Sequence, residues 1–97
     1  LEQHAHDARG AYADETLRAM RKASAAFTAW AAHNGLSALP VEPSTVAAYV
    51  DGISQFRAPA SLRQAVWAIG AMHRAAGLVD PTKVEVVRLA MKWMARQ

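Results

Sequence analysis

Two Gly-Leu pairs, Gly35-Leu36 and Gly77-Leu78, and two prolines placed to open helices, Pro43 and Pro81, cut the chain into segments with helical starts and stops. Glycine just past a helix takes the left-handed backbone conformation without a Cβ penalty, and the leucine after it supplies the apolar contact of a Schellman-type stop. Between these marks apolar residues recur at helical spacing, while β-branched residues are scattered rather than gathered into alternating runs. Alanine inflates the hydrophobic fraction of 53% and favours helix. The expectation is an all-α fold, a compact bundle of four main helices at about 14–34, 43–56, 61–76 and 81–96.

The first helix is expected to start at Asp14 as N-cap, with Glu15 in its first turn, and to bury Leu17, Met20, Phe27 and Trp30 before ending at Asn34. Pro40 and Pro43 prevent a continuous helix from Leu39 to Pro43, and Pro43 suits a first helical position. Val46, Tyr49, Val50 and Ile53 then line one face of a short second helix. After a connection near Arg57 to Pro59, Ser61 and Gln64 have the S-x-x-Q spacing of a reciprocal capping box. Leu62, Val66, Ile69, Met72 and His73 share a face of the third helix. Asp80-Pro81 reads as a cap and a first-position proline that open the fourth. That helix has one apolar face at Val84, Val87, Met91 and Met94 and another at Val86, Leu89 and Trp93, with Arg88, Lys92 and Arg96 between them. Such a helix either meets a second partner or lies deep in its own core. Residues 1–13 read as a tail or a partial extra helix, and residues 14–97 as one domain.

The 97 residues contain no cysteine, which excludes a disulfide framework, a thiolate metal site and a cysteine nucleophile. No apolar run approaches the roughly 20 residues a spanning helix needs, and Leu1 to Asp7 are too polar for a signal peptide; a soluble chain with no membrane partner is expected. His4, His6 and Asp7 lie on the expected tail, without the fixed geometry a metal demands, so neither a metal nor a cofactor is expected. His73, on the core stripe, is expected to bond a loop carbonyl, and His33 to cap a helix end or be solvated. Tyr49, on an apolar face, and Tyr12, on the tail, read as structural rather than nucleophilic, so no catalytic residue is assigned.

Eleven Lys and Arg against eight Asp and Glu give a net charge of +3. The resulting pI near 9.8 permits nucleic-acid binding without demanding it. Distribution is more informative. At about 100° per residue, Arg18, Arg21 and Lys22 cluster opposite the apolar side of the first helix. The face opposite the stripe of the third holds Arg63, Gln64, Trp67 and Arg74, with small Ala60 and Ala71 between them. A solvated face fits each cluster, and Trp67 suits packing under a loop as well as contact with sugar and base edges. Taken together, two helices that bury one side and present Arg, Lys, Gln and small residues on the other suit the DNA major groove. The start of the third helix adds N–H groups attractive to a phosphate, a role in competition with capping by Ser61 and Gln64.

The stretches TLRAMRKASAAFTAW (Thr16 to Trp30), LPVEPSTVAAYV (Leu39 to Val50) and ASLRQAVWAIGAMHRAAGLVDP (Ala60 to Pro81) carry a family resemblance in their order and spacing. From Thr16 to Gln97 the chain resembles the N-terminal core-binding, SAM-like domain of tyrosine recombinases and phage integrases, in its Cre-like form. The resemblance implies that this domain and a larger catalytic domain, absent from these residues, close as a clamp on the recombination site with two helices crossing the major groove. It implies DNA contacts at Arg18, Ala19 and Lys22 on the first helix and at Ala60, Ser61, Gln64, Ala68 and Arg74 on the third. Several of these are alanine, Trp67 replaces a residue with no side chain, and Asp80 stands where the family has a basic residue, so target preference does not transfer. The resemblance further implies that the nucleophilic tyrosine and its phosphoryl-stabilising partners lie on the other domain. Its implied partners are double-stranded DNA, the catalytic domain and sister protomers, a tetramer in the parent recombinase. Val86, Leu89 and Trp93 would then form the protomer or domain contact, in a cytoplasmic protein that is nucleoid-associated on DNA. Two other classes fit the residues. One is a helical protein-interaction module built on Trp67 and Trp93. The other is a helix-turn-helix regulator, disfavoured by the long proline-broken connection after Gly35.

Overall fold

A computed structural model describes residues 13–95. In chain order it contains α1 (Asp14–His33), α2 (Pro43–Ile53), α3 (Pro59–Ala75), a 3-10 turn (Pro81–Lys83) and α4 (Glu85–Ala95). No strand occurs among the described residues, so the chain is the expected all-α bundle. α1 packs chiefly on α3, and α2 on α4. The core is drawn from every helix: Phe27 and Ala31 of α1, Val46, Tyr49 and Val50 of α2, Leu62, Ala65, Ala68 and Ile69 of α3, and Val87 of α4. Tyr49 meets Phe27 edge-on at 5.0 Å and Trp30 at 4.9 Å, an aromatic cluster that ties α1 to α2.

Both Gly-Leu stops form as expected. Gly35 and Gly77 have φ of 67° and 75°. The Leu36 N–H donates to the Ala31 carbonyl, and the Leu78 N–H to the His73 carbonyl, each at 2.8 Å. The helix starts differ more. Ala13, not Asp14, is the N-cap of α1, and no side chain caps it; Asp14 is the first helical residue, where its charge still favours the helix dipole. α2 begins at Pro43 but stops at Ile53, because the following turn closes on itself, with the Ser54 hydroxyl donating to the Asp51 carbonyl at 2.8 Å. α3 starts at Pro59 rather than Ser61, so the Ser61–Gln64 capping box does not form: proline at N1 has no N–H to satisfy and sets the helical φ earlier. The fourth helix opens at Glu85, not Pro81. Asp80 accepts the Thr82 N–H at 2.9 Å and its hydroxyl at 2.6 Å, which winds a tight 3-10 turn that an extended Val84 then interrupts.

His73 is buried, and its bonding differs from expectation. The Val41 N–H donates to its Nε2 at 3.0 Å, while Nδ1 lies 2.8 Å from the Ile69 carbonyl. An accepting Nε2 requires the proton on Nδ1, which then donates to Ile69. The ring therefore grips a loop amide rather than a loop carbonyl, because its other nitrogen is already directed at its own helix.

At the far end of α3, Arg74 forms an ion pair with Asp80 across Gly70. A Cβ at Gly70 would come within 2.8 Å of the Asp80 carboxylate and 3.0 Å of the Arg74 guanidinium, so the pair lies close to the helix only because that side chain is missing. Burial pushes the Asp80 carboxyl up, but the hydrogen bonds from Thr82 and the bond and charge of Arg74 outweigh it and hold the group below its ordinary 3.8.

Removing the imidazole in His73→Leu strands the buried Val41 N–H, and urea unfolding should show a loss of about 1–3 kcal/mol; a variant as stable as wild type would mean that the amide finds another partner. A carboxyl with a depressed folded-state pKa adds stability above its unfolded pKa and loses it as pH falls through the folded value. The wild-type unfolding midpoint should therefore fall more steeply than that of Asp80→Asn below about pH 4, and parallel curves would refute a stabilising role for this carboxylate.

Candidate nucleic-acid interface

A groove of about 320 Å³ runs between α1 and α3, and small residues make it: Ala19, Ala23 and Ala26 on one side and Ala65 on the other. Tyr49 and Ile53 of α2 close its base. Its polar walls are Lys22 from α1, Arg57 from the connection after α2, and Ser61 and Gln64 from the start of α3. All four are exposed. Among the described residues the ion pairs are Arg74 with Asp80 and Arg88 with Glu85, so Lys22 and Arg57 keep their charge uncompensated at the groove.

The start of α3 matters to this geometry. No side chain caps it, so Ser61 and Gln64 are not engaged in capping, and the competition between the two roles is removed in the free protein. The first N–H groups after Pro59 have no partner within the helix, which leaves a partial positive charge beside Lys22 and Arg57. Tyr49 contributes the apolar base. Burial raises its hydroxyl above the ordinary 10.0, with the nearby positive charge of Arg57 opposing the shift, and the neutral ring belongs to the aromatic cluster.

The structure gathers only some of the expected site residues. Ala19, Lys22, Ser61 and Gln64 meet in the groove, while Arg18 and Arg21 stand exposed on α1, and Ala60 is exposed at the start of α3. Trp67 is half-buried on the flank of α3. Ala68 is 0% exposed and is a core residue, so a ligand on the surface does not reach it; its position on the helix turns it toward the bundle interior. Arg74 lies 13 residues beyond Ser61, about 20 Å along the helix, and is engaged by Asp80. Arg63 points to the other side of α3, where it lines a cleft with Arg88 and Lys92 of α4. Adjacent helical residues diverge by about 100°, which is why Arg63 and Gln64 part company.

Arg57 was not singled out by its sequence, because it sits in a connection without periodicity. The one signal was a cation two residues ahead of a proline that opens a helix. On α4, Val86, Leu89 and Trp93 are 44%, 53% and 60% exposed, so this second apolar face is not sunk in the domain's own core. His4, His6, Asp7 and Tyr12 lie outside the described residues, as do Arg96 and the side chain of Met94. No group of ligands suited to a metal occurs among the described residues, and none of their helices is long and apolar enough to cross a membrane.

No protein-family model matches the chain. Its sequence is similar to that of the "Integrase/recombinase xerD homolog" of Selenomonas ruminantium, 31% identical over 88 residues. The match covers 88% of this chain and 26% of that protein, so the chain spans about a quarter of the relative's length. This similarity supports a relation to the tyrosine recombinases.

Proposed function

We propose that the chain is the core-binding domain of a Cre-like tyrosine recombinase or phage integrase and holds duplex DNA through the groove between α1 and α3. The observation that carries this reading is the convergence of Lys22, Arg57, Ser61 and Gln64 on one groove between two helices that bury their other sides. Lys22 and Arg57, with Arg18 and Arg21 alongside, neutralise phosphates and release their counterions. Gln64 offers both a donor and an acceptor to base edges, and Ser61 a hydroxyl to phosphate or base. The similarity to an integrase/recombinase over most of the chain supports the same reading.

On this proposal strand exchange belongs to the parent protein. The 97-residue chain binds DNA and does not cut it, and its partners are the catalytic domain and, on DNA in the cell's cytoplasm, sister protomers in a tetramer. The exposed face at Val86, Leu89 and Trp93 suits one of those protein contacts, since an apolar strip on a surface helix is stabilised by a partner.

Binding to a random 30-base-pair duplex across a salt series tests the reading. About four to six phosphate contacts give a log-log slope near −4 to −5, and Arg18→Glu with Lys22→Glu should abolish it while leaving a protein interface centred on Trp93 intact. Absence of binding even at low salt would overturn the proposal in favour of a protein-interaction module. On a suicide duplex substrate no covalent protein–DNA product is expected, and its detection would show that this chain does carry chemistry.

A further inference from the structure

The turn at residues 54–56 presents an aromatic ring to solvent: Phe56 is 77% exposed. The turn is well tied. The Ser54 N–H donates to the Val50 carbonyl at 2.9 Å, the N–H groups of Phe56 and Arg57 both donate to the Ile53 carbonyl at 3.1 and 3.0 Å, and Pro59 fixes the exit into α3. The ring is thus held out on an ordered frame, where it forgoes the stabilisation that burial would bring. Its chain neighbours belong to the groove: Ile53 lies at the base and Arg57 in the wall. Asp51, the nearest acidic residue in sequence, is exposed and does not line the groove.

We propose that Phe56 is a further DNA contact, lying against the deoxyribose face of the strand whose phosphate Arg57 takes; this rests on the DNA-binding role proposed for the groove. A nucleic-acid strand alternates anionic phosphates with apolar sugar faces, and a cation beside a single apolar ring matches that alternation. A protein partner would call for a wider apolar patch, and the residues flanking Phe56, namely Gln55, Arg57 and Ala58, supply none. The other strongly exposed apolar side chains, Val79, Leu89 and Trp93, stand on other elements.

The test is Phe56→Ala in the 97-residue chain, titrated with the random 30-base-pair duplex across the same salt series. Loss of a buried ring weakens binding about tenfold at every salt concentration, with the salt slope unchanged because no charge is removed. Arg57→Gln should instead make the slope shallower by about one. The thermal midpoint of Phe56→Ala should match wild type, since the ring packs against little. Wild-type affinity in Phe56→Ala, or a change in its salt slope, overturns the sugar contact while leaving the groove reading in place. No binding by the wild-type chain overturns both.

Discussion

The bundle depends on one buried imidazole. His73 takes the Val41 N–H on one nitrogen and gives its other to the Ile69 carbonyl, so the proline-rich connection is fastened to the C-terminal part of α3. A buried backbone N–H without a partner is costly, and the His73 Nε2 supplies the acceptor for Val41. Fixing Val41 fixes where α2 begins, two residues later, and hence which residues α2 turns inward. Tyr49 then reaches Phe27 and Trp30, and those rings set α1 against the bundle. The spacing of α1 and α3, and with it the groove between them, follows from that sequence of contacts.

α3 serves different ends at its two termini. Its start is uncapped, with Pro59, Ala60 and Ser61 exposed beside two unpaired cations. Its last turn is closed by a Schellman stop and by the Arg74–Asp80 pair, which Gly70 allows to lie flat. Charge near the end of α3 is thus committed to folding, while Lys22 and Arg57 near its start have no ion-pair partner among the described residues. The alanines of α1 have an effect of their own: Ala19, Ala23 and Ala26 leave the space that forms the groove.

The proposed DNA grip and the exposed strip of α4 use separate surfaces. Lys22 and Arg57 sit at the α1–α3 groove, and Val86, Leu89 and Trp93 on the last helix. A domain arranged in this way is suited to hold a polyanion on one side while another protein surface covers the apolar strip. Arg63, Arg88 and Lys92 line the cleft between α3 and α4, which gives that second surface a basic rim as well.

Helix number, both Gly-Leu stops, the proline start of α2 and the apolar faces of α1 to α3 were legible in the sequence, because they rest on local rules: φ at glycine and proline, and the periodicity of side chains along one helix. The basic side of α1 was legible for the same reason. Helix starts at Pro59 and Glu85 were not, since a proline at N1 overrode the Ser61–Gln64 spacing and Asp80 spent its carboxylate on a 3-10 turn. Nor did periodicity alone separate Arg63 from Gln64, show that Ala68 is core, or bring Arg57 to the groove. Those outcomes depend on which neighbour each helix face meets, and that is decided by packing between segments distant in sequence. Local chemistry determined where this chain is helical; only the tertiary contacts, through His73 and the aromatic cluster, decided which of its cations share a groove.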